Sequence, residues 1–169
     1  MDIFDFAIQM EVDGRAFYEK GAAAAKNAEQ RKIFLMLAEE EERHYRIFKN
    51  LKEGQLNTAK EFAANRAKTV ATTKNLFQKM AEEGKNTLFG DDVRALWKEA
   101  MVIEEKSEKM YREAAAKEKD LERQKLFNKI ADEEKNHIYL IDNMLSFMND
   151  PESFVESHQF ASFKSWEGR

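Results

Sequence analysis

The chain contains no cysteine, only one proline and six glycines in 169 residues, and it has no long apolar run. Without cysteine, this chain can hold neither disulfides, thiolate catalysts nor iron–sulfur clusters, so any metal must be bound by oxygen and nitrogen atoms. No segment approaches the roughly 18 apolar residues of a spanning helix. The acidic start, Met1-Asp2-Ile3-Phe4-Asp5, does not resemble a signal peptide, and we therefore expect a cytoplasmic protein.

The composition is that of a soluble globular domain. Hydrophobic residues make up 43% of the chain and charged residues 36%, which is enough apolar surface for one sizeable core. The net charge is −4, and lysine and arginine are interspersed with acids. Because phosphate binding needs a concentrated basic face, this pattern argues against nucleic acid as a partner.

The motif Glu-x-x-His occurs twice, and each copy follows another glutamate by the same 30 residues. The two sets are Glu11, Glu41 and His44, and Glu104, Glu134 and His137. A shift of 93 residues superimposes them, and 12 of the 34 residues in the segment 11–44 are then identical to their counterparts. The chain is therefore an internal duplication with a repeated set of potential metal ligands. A single Glu-x-x-His on a glutamate-rich helix is expected by chance, but two copies in register are not.

The spacing of apolar residues predicts an all-α fold with four main helices. Their predicted bounds are about Ile3 to Ala25, Gln30 to Lys52, Asp92 to Lys117 and Glu122 to Met148. The 53–91 connection is long enough to contain its own helix and to let the second and third helices run parallel. We expect a four-helix bundle over residues 1–150, followed by an aromatic tail, 151–169, that packs on the bundle or on a second subunit.

Hairpin geometry brings the repeated motifs together. The best turn candidates, Lys26-Asn27 and Lys119-Asp120, lie midway between the two glutamates of each half. Each glutamate is therefore about 22 Å from its turn, and an antiparallel pair places both at mid-bundle. All six residues of the two sets should converge there.

Two metal ions fit this inventory better than one. Four buried carboxylates repel each other in a low-dielectric core, and two divalent cations neutralise them. Carboxylate-rich sites with one imidazole per ion suit iron or manganese. We expect two iron ions per chain, with manganese or a mixed pair as the alternatives.

These features resemble the ferritin-like di-iron carboxylate proteins, and specifically the rubrerythrin family. The resemblance covers about residues 3–148 and includes Glu11 with Tyr18, the Leu37-Ala38-Glu39-Glu40-Glu41 approach to His44, and their repeats. It implies a ferritin-like bundle with a long crossover. The resemblance further implies that Glu41 and Glu134 are bridging ligands and that Glu11 and Glu104 are terminal ligands. It implies that His44 and His137 bind the metal through nitrogen. Tyr18 and Tyr111 match tyrosines that hydrogen-bond to the ligands, although both could be simple core aromatics.

Two departures from the family pattern bear on activity. Rubrerythrins proper carry a cysteine-bound iron domain that supplies electrons, so this chain requires an external donor such as a rubredoxin-type protein. They also carry an extra carboxylate one turn beyond the third-helix ligand, where this chain has Ser107. Ferroxidase centres of the bacterioferritin type share the set of four glutamates and two histidines.

Three functions are consistent with the sequence. The favoured one is a di-iron oxidoreductase that reduces hydrogen peroxide or dioxygen in oxidative-stress defence. The alternatives are a ferroxidase or iron-handling protein and a non-catalytic di-metal module. A homodimer is expected, since the long crossover could exchange helices between subunits.

The other polar residues are predicted to have structural roles. We expect Glu39, Glu40, Glu42 and Glu133 to face solvent or pair with other helices, and His158 to lie on the surface.

Overall fold

The structure is a computed structural model that describes residues 1–65, 69–83 and 91–156. Those residues form seven α-helices and no strand. The helices are α1 Ile3–Ala24, α2 Ala28–Lys52, α3 Leu56–Ala64, α4 Thr69–Glu83, α5 Asp91–Lys117, α6 Leu121–Asn149 and α7 Pro151–Glu156. The predicted all-α, ferritin-like bundle is confirmed, and α1, α2, α5 and α6 are its four long helices. None of the helices in these ranges has the length and apolarity needed to cross a bilayer.

Short polar residues fix the two hairpin turns. The side chain of Asn27 accepts a hydrogen bond from the backbone N–H of Gln30, so α2 begins immediately after the turn. Asp120 caps α6 in the same way, accepting from the N–H groups of Glu122 and Arg123. Both turns lie where the repeat predicts them, and each hairpin is therefore antiparallel with its glutamates level.

Contacts between the hairpins establish the helix directions. Tyr18 of α1 contacts Glu104 of α5, and Tyr111 of α5 contacts Glu11 of α1, so these two helices are antiparallel. Because α1 is also antiparallel to α2, α2 and α5 run parallel, as expected for a long crossover. The described part of that crossover contains two helices, α3 and α4, rather than one. Gly54, at φ 74°, provides the left-handed turn that separates α2 from α3.

The bundle core consists of two apolar clusters with a polar layer between them. One cluster includes Tyr18, Phe34, Trp97 and Phe147, and the other includes Tyr111, Phe48 and Phe127. The six predicted ligands are buried between these clusters. The core therefore excludes bulk water from both ends of the polar layer.

The C-terminal tail was predicted to pack on the bundle or a partner. Its first part is α7, where Phe154 is buried against Phe77 and Phe147 with ring centroids 5.6 and 5.7 Å away. The tail residues His158, Phe160, Phe163 and Trp166 lie outside the described residues. The predicted domain boundary at residue 150 stays a prediction, as does the homodimer.

Gly21 sets the spacing between α1 and α2, and we expect Gly21→Ala to destabilise the protein. A Cβ at this position would lie 2.5 to 2.9 Å from ring atoms of Phe34. That ring stacks on Trp97 at 3.9 Å and cannot easily retreat. The clash should outweigh the better helix propensity of alanine and lower the free energy of unfolding by about 1–3 kcal/mol. Urea denaturation measures this change, and an unaltered or higher midpoint would show that the helices are not so close.

Candidate metal centre

The structure brings all six predicted ligands together at mid-bundle. Glu11 comes from α1, Glu104 from α5, and each Glu-x-x-His motif from α2 or α6. Residues three apart lie on one helical face, so Glu41 and His44 both point inward, as do their counterparts in α6. The six residues are 0–5% exposed.

The ligands form two groups that share two members. One ligand atom from each residue lies within 4.8 Å of the others in each group. The first group is Glu11, Glu41, His44 and Glu134, and the second is Glu41, Glu104, Glu134 and His137. Glu41 and Glu134 belong to both groups, so these two carboxylates would be shared if each group held an ion.

The two groups are related by the internal repeat. Nδ1 of His44 lies 3.6 Å from Oε2 of Glu11 and 3.3 Å from Oε1 of Glu134. Nδ1 of His137 lies 3.4 Å from Oε1 of Glu104 and 3.6 Å from Oε1 of Glu41. The imidazole rings are nearly parallel, with centroids 5.9 Å apart. An approximate two-fold axis therefore passes between the histidines.

Six buried atoms of the predicted ligands have no hydrogen-bond partner among the described residues. These buried atoms are Oε2 of Glu11, Oε1 of Glu41, Nδ1 of His44, both carboxylate oxygens of Glu134 and Nδ1 of His137. Unpaired buried polar atoms are costly, and convergent oxygen and nitrogen donors suit a divalent cation. The residues present therefore fit a pair of metal ions.

Crowded carboxylates alter the protonation of the metal-free site. Burial raises the pKa of Glu41 well above its usual range, and the carboxylates of Glu134 and Glu11 raise it further. Burial lowers the pKa of His137, but Glu104 and Glu134 outweigh this effect and raise it to about 10. The pKa of His44 is likewise raised by Glu134 and Glu11 against the effect of burial. In the absence of metal, bound protons therefore neutralise part of the negative charge of the buried carboxylates.

Tyr18 and Tyr111 close the site from opposite sides. The hydroxyl of Tyr18 donates to Oε1 of Glu104, and the hydroxyl of Tyr111 donates to Oε1 of Glu11. Burial, then the neighbouring carboxylates, raise the pKa of both phenols well above 10. Each tyrosine therefore keeps its proton and holds one oxygen of a terminal carboxylate. A direct role in catalysis stays a prediction.

Sequence reasoning missed a buried ionic network beside His44. Glu40 and Glu133 are expected from the sequence to face solvent or to pair with other helices. Each is only 6% exposed, so neither faces solvent, whereas Glu133 of α6 does pair with Arg43 of α2. Arg43 donates to Oε2 of Glu40 at 2.6 Å and also to Oε2 of Glu133, which lies 2.8 Å from Nε2 of His44. The identity of Glu40 and Glu133 across the repeat is the signal that could have found them.

A surface groove of about 440 Å³ reaches Glu11 between α1 and α2. Its lining residues are Glu11, Val12, Arg15, Ala16, Glu19, Glu42 and Tyr45. Arg15 forms ion pairs with Glu19 and Glu42 across this groove. Of the six convergent residues, Glu11 lines this groove.

The family model described as Rubrerythrin matches residues 2–145, a range that contains all six convergent residues and both tyrosines. The chain belongs to the rubrerythrin family. Searches of curated proteins and of solved structures returned no match. Rubrerythrin membership and the buried carboxylate and imidazole groups together indicate di-metal binding.

Gly14 and Ser107 occupy equivalent positions of the repeat in this rubrerythrin-family chain, three residues after Glu11 and Glu104. A Cβ at Gly14 would lie 2.7 Å from Oε2 of Glu41, so the glycine makes room for that carboxylate. Ser107 is 6% exposed and therefore also faces the interior. Both positions therefore carry at most a small side chain.

We expect Gly14→Ala to weaken metal binding without lowering the stability of the metal-free protein. The added methyl group displaces the Glu41 carboxylate, which is the flexible end of a side chain, while alanine favours the helix by about 0.5–1 kcal/mol. Since Glu41 is common to both ligand groups, the affinity of both ions should fall. Metal titration and urea denaturation measure the two effects. Gly21→Ala is the control, because it disturbs packing away from the ligands and should leave two ions per chain.

The metal-free protein should become less stable as pH rises. Glu41, His44 and His137 have raised pKa values, so the folded chain binds more protons than the unfolded chain above about pH 4.5. Their contribution to the free energy of unfolding is therefore lost progressively towards pH 10, by up to about 1.4 kcal/mol per pH unit for each extra proton. Urea denaturation of chelator-treated protein between about pH 5 and pH 8 measures the slope.

Two comparisons test this electrostatic account. Loading with metal should flatten the slope, because cations replace the protons. The double variant Glu11→Gln/Glu104→Gln should stabilise the metal-free form near neutral pH while weakening metal binding. A metal-free double variant that is less stable than the parent would contradict the repulsion argument.

Proposed function

We propose that this chain is a di-iron oxidoreductase that reduces hydrogen peroxide, with electrons from an external donor such as a rubredoxin-type protein. The observation that supports the proposal is the pair of ligand groups that share Glu41 and Glu134. When bound there, two Fe(II) ions could together supply the two electrons that convert one hydrogen peroxide and two protons into two waters. The external donor would then return two electrons. Oxidative-stress defence is the corresponding physiological role.

The donor set favours iron or manganese over other ions. Each group offers three carboxylates and one imidazole, whereas structural zinc sites commonly use four nitrogen or sulfur donors, and magnesium or calcium rarely take histidine. Iron is the choice for a peroxide reductase because it changes oxidation state readily.

The protein would hold the carboxylates in position, exclude water from the site and give peroxide a path to it. The clusters around Tyr18 and Tyr111 exclude water from either end of the site, which limits release of reactive oxygen species. The two phenols hold the terminal carboxylates by hydrogen bonds and remain protonated. The groove at Glu11 is the proposed entry for peroxide.

Iron oxidation with transfer of the ferric product is the second candidate. It is favoured by Ser107, a neutral buried residue where the peroxide-reducing relatives have a carboxylate. Such a centre would prefer dioxygen and would accept fresh Fe(II) repeatedly. Stable binding of two ions without turnover would instead support a non-catalytic di-metal module.

Stopped-flow oxidation of the anaerobic diferrous protein tests the proposal. We expect two iron ions per chain and much faster oxidation by hydrogen peroxide than by dioxygen, because both electrons can go to one O–O bond. An equal or faster reaction with dioxygen, with more than two ferric ions accumulating per chain, would contradict peroxide reduction and support iron handling as the function. Turnover with a reduced rubredoxin-type donor distinguishes both from a passive module.

Ser107→Glu should accelerate the peroxide reaction. The position is buried one turn from Glu104, so a glutamate there can supply a carboxylate to the same layer. Ser107→Gln is the matched control, since it adds the same bulk without the charge. If both variants change the rate equally, the effect is steric and the carboxylate has no specific role.

A further inference from the structure

The two histidines are equivalent in the repeat, but their Nε2 atoms have different surroundings. Nε2 of His44 lies 2.8 Å from Oε2 of Glu133. Among the residues that the structure describes, no carboxylate pairs with Nε2 of His137, whose ion-pair contacts all involve Nδ1. The six ligands are therefore related by an approximate two-fold axis, but the residues that surround the two histidines are not.

One substitution between the repeats explains this asymmetry. Glu40 and Glu133 are equivalent by the 93-residue shift, whereas the equivalent of Arg43 is Asn136. The Arg43 guanidinium donates to both Glu40 and Glu133 and, at 3.3 Å, to the carbonyl of Phe62 in α3. Arg43 thus gathers both carboxylates on the His44 side, and Asn136 has no charge with which to do the same near His137.

The orientation of the His44 ring determines which nitrogen is available to a metal ion and which one interacts with Glu133. Its Nδ1 faces Glu11 and Glu134, so Nδ1 is the nitrogen that would bind a metal ion there, and Nε2 would then carry the proton. A proton donated to an anionic acceptor makes an imidazole a stronger ligand and fixes its ring orientation. Arg43 moderates this effect by sharing Oε2 of Glu133, but it also holds that carboxylate in place.

We propose that Glu133 is a positioning residue that makes the two metal positions inequivalent. The first divalent ion then binds in the group that contains His44, and the second binds in the group that contains His137. This inference rests on the di-metal site of the proposed function but not on peroxide reduction, so the two can fail separately.

A calorimetric titration of the metal-free protein with Mn(II) tests the order of binding. We expect the first ion to bind at least about tenfold more tightly than the second. Glu133→Gln should weaken the first step by about tenfold or more and bring the two steps together, because a neutral amide is a poorer acceptor for the imidazole proton.

Glu40→Gln is the matched control. One oxygen of Glu40, one oxygen of Glu133 and one ring nitrogen of His44 lie within 4.8 Å of one another, and both glutamates pair with Arg43. The control therefore removes the same charge from the same neighbourhood without removing the hydrogen bond to Nε2. It should leave the separation between the two steps unchanged.

Proton NMR of the unsubstituted protein with one equivalent of Co(II) gives a readout that does not depend on any variant folding. A histidine bound through Nδ1 shows a hyperfine-shifted, exchangeable Nε2–H signal. We expect one such signal, from His44, with slow solvent exchange because the proton is donated to buried Glu133. The signal should persist in His137→Gln and, in Glu133→Gln, should shift and exchange faster.

Several results would overturn the proposal. These are equal occupancy of both positions at one equivalent of Co(II), loss of the first step in His137→Gln, or equal effects of Glu133→Gln and Glu40→Gln on the two steps. A failure of peroxide reduction with the binding order intact would overturn the proposed function alone.

Discussion

The bundle buries four carboxylates at one level, and their charge governs how the surrounding residues are arranged. Their mutual repulsion in a low-dielectric core must be compensated, and six atoms of the ligand residues have no hydrogen-bond partner among the described residues. Two cations satisfy both requirements, whereas protons on Glu41 and the imidazoles satisfy them only in part. The stability of the bundle and its metal affinity are therefore linked through the same side chains.

The surrounding structure holds this layer in place from several directions. Aromatic clusters lie at both ends, and Tyr18 and Tyr111 each join one cluster to a terminal carboxylate. Gly14 leaves space for Glu41 where any larger residue would displace it. Fixed positions of this kind favour a defined pair of adjacent ions over a loose acidic patch.

The duplication accounts for the symmetry of the ligands, and its later divergence accounts for the asymmetry around them. Glu40 and Glu133 are identical in the two repeats, yet Arg43 and Asn136 differ, and the single guanidinium attracts both acids to one side. A centre with two inequivalent positions can bind its ions in order. Ions added to a symmetric pair would have no preferred first position.

The helical fold, the two hairpins and the convergence of six residues can be predicted from the amino-acid sequence alone. Those conclusions follow from periodic spacing, because helix geometry and turn position fix the height of each residue along the bundle. Family resemblance added the bridging and terminal assignments, which stay predictions. Which polar residues outside the ligand set are buried depends instead on how the helices pack. Glu133 and Glu40 look like ordinary surface glutamates in the sequence, and their pairing with Arg43 depends on how α2 and α6 rotate against each other. Spacing along one helix specifies a face, but the partner of that face is set by packing between helices.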